Sequence, residues 1–157
     1  MQKFNFKEQF LTKKYIYRLI LSIILIISLT VSLFLFFWKK NTVRRMFIFP
    51  SVSGELIIEY RNLDKNPVQG DVQYFIDEIL LGSQIERTRK IFTFGTTVLS
   101  CFQRDEQLYL DLSSDLLQMD DNVIELKQGF ELLRLNIKKN FSDIKKINFF
   151  VDGKYAY

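Results

Sequence analysis

Residues 19–38 read LILSIILIISLTVSLFLFFW, twenty positions without a charge, a proline or a glycine. At about 1.5 Å rise per residue such a run makes roughly 30 Å of apolar helix, the thickness of a bilayer core. Its polar members, Ser22, Ser28, Thr30 and Ser32, carry small hydroxyls that can bond the preceding turn. Twenty uninterrupted apolar positions leave a soluble helix no solvent face. A cleaved leader would have a shorter apolar stretch followed by small residues. Here Phe34, Phe36, Phe37 and Trp38 end the run and Lys39-Lys40 follow. The expectation is an uncleaved single-pass anchor, with Tyr15, Tyr17 and Trp38 at its two interfaces.

Charge divides the chain. Residues 1–45 carry nine Lys/Arg and Glu8, and residues 46–157 carry a net excess of acids. The sequence pI of 9.1 therefore comes from the flanks of the apolar run, where cations meet lipid headgroups. Residues 46–157 show no basic stripe with interleaved aromatics, so no nucleic-acid partner is expected. Lys3, Lys7, Lys13, Lys14 and Arg18 precede the run, and Lys39, Lys40, Arg44 and Arg45 follow it. This slight excess favours a cytoplasmic N-terminus. Histidine is absent and Cys101 is the single cysteine, which removes the commonest general base and any intramolecular disulfide. Cys101 reads as a buried thiol.

The expected division is a basic tail (1–18), a transmembrane helix (19–38), a tether (39–45) and one domain (46–157). Residues 46–50 (MFIFP) read as a strand. In residues 55–63, Leu56, Ile58 and Tyr60 alternate with polar partners Glu59 and Arg61, a half-buried second strand. Asn66-Pro67 suggests a helix cap and first turn, with Val68, Val72, Phe75, Ile76, Ile79 and Leu80 on one face and Gly82 as the stop. Residues 83–90 are polar and loop-like. Strands are expected at 91–102 and 107–112 around an Arg104-Asp105-Glu106 turn. Asn122 and Glu125 resemble a capping box opening a helix to about 140, with Val123, Leu126, Phe130, Leu133 and Ile137 facing inward. Ile147, Phe149 and Val151 mark a last strand ending at Asp152-Gly153. The order β-β-α-β-β-α-β predicts an α+β fold, a two-layer sandwich with two helices on a mainly antiparallel sheet.

Four stretches in this order resemble the GerMN domain of spore-germination and sporulation proteins. Residues 146–154 (KINFFVDGK) are similar to the family's closing strand and V-[DN]-G turn. Residues 94–113 run from FGTT through LYLDLS, as in its "P-x-G-T" entry and "v-D-l-S" strand, with Phe94 in place of the usual proline. Residues 72–83 (VQYFIDEILLGS) resemble its helix ending in L-L-x-G-P, with Ser83-Gln84 where Gly-Pro is usual. The opening MFIFP resembles its aromatic first strand. The resemblance implies an extracytoplasmic domain like the ring-building modules of secretion and sporulation channels. It also implies assembly or binding rather than catalysis, with envelope proteins or further copies of the chain as partners.

Candidate sites are few. Asp111 with Ser113 lacks a base and reads as turn-capping, so no catalytic residue is assigned. Asp115, Asp120 and Asp121 lack calcium-loop spacing and read as an acidic cap to the following helix, so no metal or cofactor is expected. Arg87, Arg89 and Lys90 form a basic cluster able to meet acids on a partner. Tyr74 and Phe150 fall off the main apolar stripes and are interface candidates. Most of Phe47, Phe49, Phe75, Phe92, Phe94, Phe102, Phe130, Phe149 and Phe150 should be core. The expected function is a non-enzymatic protein of the cytoplasmic membrane that presents its domain outside the cytoplasm. The alternatives are a cell-division or secretion scaffold with a differently wound domain, and an envelope-polymer enzyme.

Overall fold

The computed structural model describes residues 6–38, 42–118 and 121–156, with side chains in the first helix described over 15–36. The chain divides into two compact units, Met1–Lys40 and Asn41–Tyr157. The first holds helix α1 (Phe6–Trp38), so the helix takes in most of the basic tail. Its stretch Tyr15–Phe36 is long and apolar enough to cross a membrane. The Ser22 hydroxyl donates to the Arg18 carbonyl at 3.0 Å and Thr30 to Ile27 at 2.8 Å, satisfying both hydroxyls within the helix.

The second unit contains β1 (Thr42–Pro50), β2 (Leu56–Asp64), α2 (Asp71–Leu81), β3 (Val98–Arg104), β4 (Gln107–Leu112), a 3-10 turn (Ser114–Leu117), α3 (Leu126–Asn140), β5 (Lys146–Val151) and β6 (Lys154–Tyr155). The predicted α+β class and element order hold. The strands form two sheets rather than one. β1 and β2 make an antiparallel hairpin, and the others form a sheet in the order β3-β4-β5-β6. The β4–β5 pair is parallel and its other pairs are antiparallel. Leu108, Leu110 and Leu112 point inward from β4, as their alternation requires, and join Phe75, Ile76, Ile79, Phe130, Leu133 and Phe149 in the core. Val151, expected among them, is half-buried. Phe94 and Phe102 are exposed, Phe102 stacking on Tyr109 across the β3–β4 pair.

Several boundaries move, each for a local reason. β1 takes in Thr42 to Arg45 of the expected tether. Arg45 holds this end by donating to the Asn140 carbonyl at 2.8 Å and lying 4.2 Å over the Phe141 ring. Helix α2 starts at Asp71, not at Pro67. Asn66 (φ 58°) and Gly70 (φ 87°) are left-handed, which interrupts any helix running through them, and Val68 is left in solvent. Strand β3 starts at Val98, because the Thr96 N–H bonds to the Thr93 carbonyl and turns the chain. Ile91 and Phe92 are instead buried against α3. A Cβ on Gly129 would lie 2.9 Å from the Ile91 carbonyl oxygen and 2.9 Å from the Phe92 ring. Helix α3 starts at Leu126, and neither Asn122 nor Glu125 makes the expected cap. The backbone at 122–124 pairs with Lys90 instead: Lys90 N–H donates to the Asn122 carbonyl at 2.9 Å and Ile124 N–H to the Lys90 carbonyl at 3.3 Å. The small strand β6, absent from the sequence reading, follows Asp152 (φ 46°) and Gly153 (φ 75°), the pair of left-handed residues that a tight hairpin favours.

The outer edge of β1 is occupied by side chains of α3, so no further strand pairs with the hairpin on that side. Asn136 accepts from the Ile48 N–H at 2.8 Å and donates to the Ile48 carbonyl at 2.9 Å. Asn140 does the same to Met46, at 2.9 and 2.6 Å. Four helical residues rise about 6 Å and two strand residues about 6.8 Å, so side chains at i and i+4 of a helix match backbone groups at i and i+2 of a strand. Asn136 is fully buried. Its replacement by alanine orphans the N–H and C=O of Ile48 and should cost about 2–4 kcal/mol. Asn140→Ala should cost less, because that pair is only partly buried. Urea unfolding of both variants, as full chains in mild detergent, checks the order.

Candidate binding cleft and the basic loop

Strand β2 carries its polarity the opposite way from the sequence expectation. Glu59 and Arg61 are each 8% exposed, whereas Leu56, Ile58 and Tyr60 are 58%, 55% and 55% exposed. The inward charges satisfy one another. Arg61 holds both oxygens of Glu59, at 2.6 and 3.2 Å. It also reaches the Glu78 carboxylate at 3.2 Å and the Gly82 carbonyl at 2.7 Å. Its guanidinium lies 4.7 Å over the Phe47 ring. Arg61 thus supplies the cation that the C-terminal end of α2 lacks in its own last turn. Glu59 in turn accepts from the Ser83 hydroxyl at 2.8 Å and the Gln84 N–H at 3.2 Å, which fixes the start of the loop at 83–90.

The far end of that loop is pinned as well. Arg89 N–H donates to the Pro50 carbonyl at 2.7 Å and Val52 N–H to the Arg87 carbonyl at 2.9 Å. These bonds continue along β1 the edge that Asn136 and Asn140 begin. The predicted basic cluster is therefore an anchored segment whose three side chains diverge. Arg87 is exposed in a left-handed conformation. The Lys90 ammonium lies 4.7 Å over the exposed Phe94 ring. Arg89 lines a cleft of about 350 Å³ between the hairpin turn and α3.

Pro50, Val52 and Leu56 from the hairpin, Ile124, and Leu132 and Leu135 from α3 form the apolar walls of the cleft, and Ser51, Gln128 and Glu131 add polar groups. Among the described residues the Arg89 guanidinium has no hydrogen-bond or ion-pair partner. The other two candidates lie elsewhere. Tyr74 is half-buried on α2 beside Val43, Arg45 and Leu63. Phe150 is half-buried on β5 and meets Tyr155 edge-on at 5.7 Å. Sequence reasoning missed the α3 wall because the cleft side of that helix carries Leu132 and Leu135, indistinguishable in one dimension from core. One signal was present: two asparagines four apart inside a helix, where asparagine is a poor helix former, mark side chains with bonds to make elsewhere.

The remaining polar groups have structural tasks. The Asp111 carboxylate accepts the Gly153 N–H at 3.0 Å and closes the β5–β6 turn. The Ser113 hydroxyl donates to Asp115 at 2.9 Å. Asp120 lies outside the described residues, and Asp121 precedes α3 by several positions rather than capping it. Among the described residues no cluster of three or more His, Cys, Asp or Glu could hold a metal. Cys101 is half-buried, and burial, with Asp77 nearby, pushes its thiol up to about 11. Burial likewise raises the Asp77 carboxyl.

The geometry defines a small α+β domain with a cleft at one end of a two-stranded hairpin. The fold is of the GerMN type. It is similar to the first GerMN domain of the sporulation protein GerM from Bacillus subtilis, with a TM-score of 0.59 and 15% identity over 73% of this chain and 86% of that one. The tandem GerMN domains of the same protein align with a TM-score of 0.56 and 16% identity, over 74% of this chain and 41% of that one. In sequence the chain is 28% identical over 88 residues to an uncharacterized lipoprotein of Treponema pallidum, spanning 56% of this chain and 66% of the relative. No family model matches the chain.

Arg61 holds the Glu59 carboxyl below the ordinary glutamate range. A carboxyl lowered in the folded state adds stability above its unfolded pKa of about 4.3, and that stability is lost as pH falls through the folded value. Urea midpoints of the wild-type chain should therefore drop as the pH falls below about 4.3. Glu59→Gln should start lower and lose less over the same interval. Parallel slopes for the two proteins would show that Glu59 does not carry the dependence.

Proposed function

We propose that the chain is a membrane-anchored envelope protein whose GerMN-like domain binds or assembles with other envelope components and performs no chemistry itself. The observation that carries this reading is a helix with the length and composition of a membrane span on the same chain as a GerMN-type domain. The lipoprotein name of the Treponema pallidum relative supports an envelope setting. The chain covers just under two thirds of that relative, so the shared setting is extended to this protein as part of the proposal. The strand order supports a GerMN-like module over a scaffold with a differently wound domain. In this reading α1 is the anchor, the basic flanks meet lipid headgroups, and the domain lies outside the cytoplasm. The anchored basic loop and the cleft it lines are the binding surface, with Tyr74 and Phe150 as secondary contacts.

Carbonate extraction should leave the full-length chain in the membrane pellet; a soluble product beginning near residue 40 would refute the anchor. Topology is read with an Asp105→Cys substitution in a Cys101→Ser background, because Asp105 sits at the exposed β3–β4 turn. That cysteine should react with an impermeant thiol reagent in cells with an opened outer layer. Protection there, with labelling only after lysis, would place the domain in the cytoplasm. Charge reversal at Arg87, Arg89 and Lys90 should weaken capture of envelope partners several-fold without lowering the melting temperature. A Glu→Gln or Asp→Asn change that abolishes the cellular phenotype while leaving capture and fold intact would argue for an enzyme.

A further inference from the structure

The cleft begins where the asparagine seal along β1 runs out. Asn140 and Asn136 close the backbone of Met46 and Ile48, four helix residues for every two strand residues. The same register brings Leu132 level with Pro50, and leucine has no side-chain donor to offer the Pro50 carbonyl. The Arg89 N–H takes that carbonyl at 2.7 Å instead, so a loop residue takes over the β1 edge at this point. The Arg89 guanidinium lines the cleft and pairs with nothing among the described residues. From α3, Gln128, Glu131 and Leu135 stand at the spacing of one helix face and line the same cleft. The cleft therefore carries a cation and a carboxylate that do not pair with each other. Between them lie Pro50 and Leu132, both buried.

We propose that this cleft binds a small zwitterion, a free amino acid or dipeptide with an apolar side chain. The inference goes beyond assembly with envelope proteins and does not depend on the membrane anchor. A ligand carrying only negative charge would gain Arg89 but face Glu131, and a purely cationic one would face Arg89. Like charges brought together in one site oppose binding. A neutral apolar molecule would cover a guanidinium without a partner, and an unpaired charge is costly to take out of water. A zwitterion satisfies both groups. Its carboxylate takes two parallel bonds from the Arg89 guanidinium, and its ammonium meets the Glu131 carboxylate. Its side chain lies against Leu132 and Leu135. In a dipeptide, the amide of Gln128 can meet the peptide bond. The cleft volume of about 350 Å³ is at the small end of ligand sites, which limits the ligand to one or two residues.

The test uses the full chain in lipid nanodiscs, with empty nanodiscs as the blank. Binding is read by titration in ligand-observed saturation-transfer NMR. The probes are leucine and leucyl-leucine, each alongside its N-acetyl and its carboxamide derivative. At least one free zwitterion should bind, and both of its blocked derivatives should bind at least tenfold more weakly. Arg89→Gln should erase the preference over the carboxamide and keep the preference over the N-acetyl form. Glu131→Gln should do the reverse, a crossed pattern that a general loosening of the cleft does not produce. The bond to the Pro50 carbonyl comes from the Arg89 main chain and survives the substitution; unchanged circular dichroism confirms that both variants are folded. Failure of both zwitterions to bind, equal binding of the blocked derivatives, or preferences that survive their variants would overturn the inference. So would acetyl-Glu-Leu-Lys-amide binding as tightly as the zwitterion, which would mark a site for an internal segment of a protein. If the zwitterions fail while charge reversal of the loop still weakens envelope capture, this inference falls and the binding-module reading stands. If the crossed pattern holds while capture is unaffected by charge reversal, the zwitterion site stands and the loop's part in capture falls.

Discussion

Two asparagine side chains decide how this domain is assembled. Asn136 and Asn140 each present an amide whose oxygen accepts and whose nitrogen donates, and each closes both hydrogen bonds of one β1 residue. A helix thereby does what a neighbouring strand would do. Because β1 is sealed by α3 along one edge and paired with β2 along the other, the four-stranded sheet does not extend through β1. The interface between the two sheets is then filled by side chains. Phe47 meets Phe75 at 4.7 Å, Phe75 meets Phe141 at 5.4 Å, and Phe130 bridges Phe92 and Phe149 at 5.3 and 5.1 Å.

The same arrangement explains the polarity of β2. With α3 lying along β1, the inward face of the hairpin meets the end of α2, where free helix carbonyls seek donors. A guanidinium in that position bonds a helix carbonyl, two carboxylates and an aromatic face at once. Removing one partner from such a network leaves a buried charge uncompensated, which is why it binds the elements firmly even though paired burial adds little net stability. Burying Glu59 and Arg61 on one face turns Leu56, Ile58 and Tyr60 onto the other. The exposed apolar stripe is thus a consequence of how α2 is capped.

The larger sheet was legible in the sequence. Residues 107–112 alternate cleanly, 146–151 end in a turn signal, and the inward stripe of α3 has helical period. Errors gathered where tertiary contacts outbid local chemistry. Asn66-Pro67 and Asn122 have the composition of helix starts, yet a left-handed Gly70 displaces one and pairing with Lys90 displaces the other. On β2 the sequence shows the alternation, but a period of two does not say which set is inside, and it is Glu59 and Arg61 that are buried. Of the candidate site, Arg87, Arg89 and Lys90 were visible as a charge run. That only Arg89 enters a cleft depends on the bonds to Pro50 and Val52, and the α3 wall depends on packing; no local pattern encodes either.

Gly129 sets how closely α3 packs on residues 91 and 92. The Ile91 carbonyl and the Phe92 ring sit in the notch left by its missing side chain, one turn before the residues that form the cleft wall. With Asn136 and Asn140 fastening the other end to β1, α3 is held at two points along its axis and can neither slide nor rotate without breaking one of them. The spacing between the hairpin turn and Gln128, Glu131 and Leu135 is therefore a fixed gauge. Whatever enters the cleft is sorted by whether it fits that gap, with no reshaping cost on the protein's side.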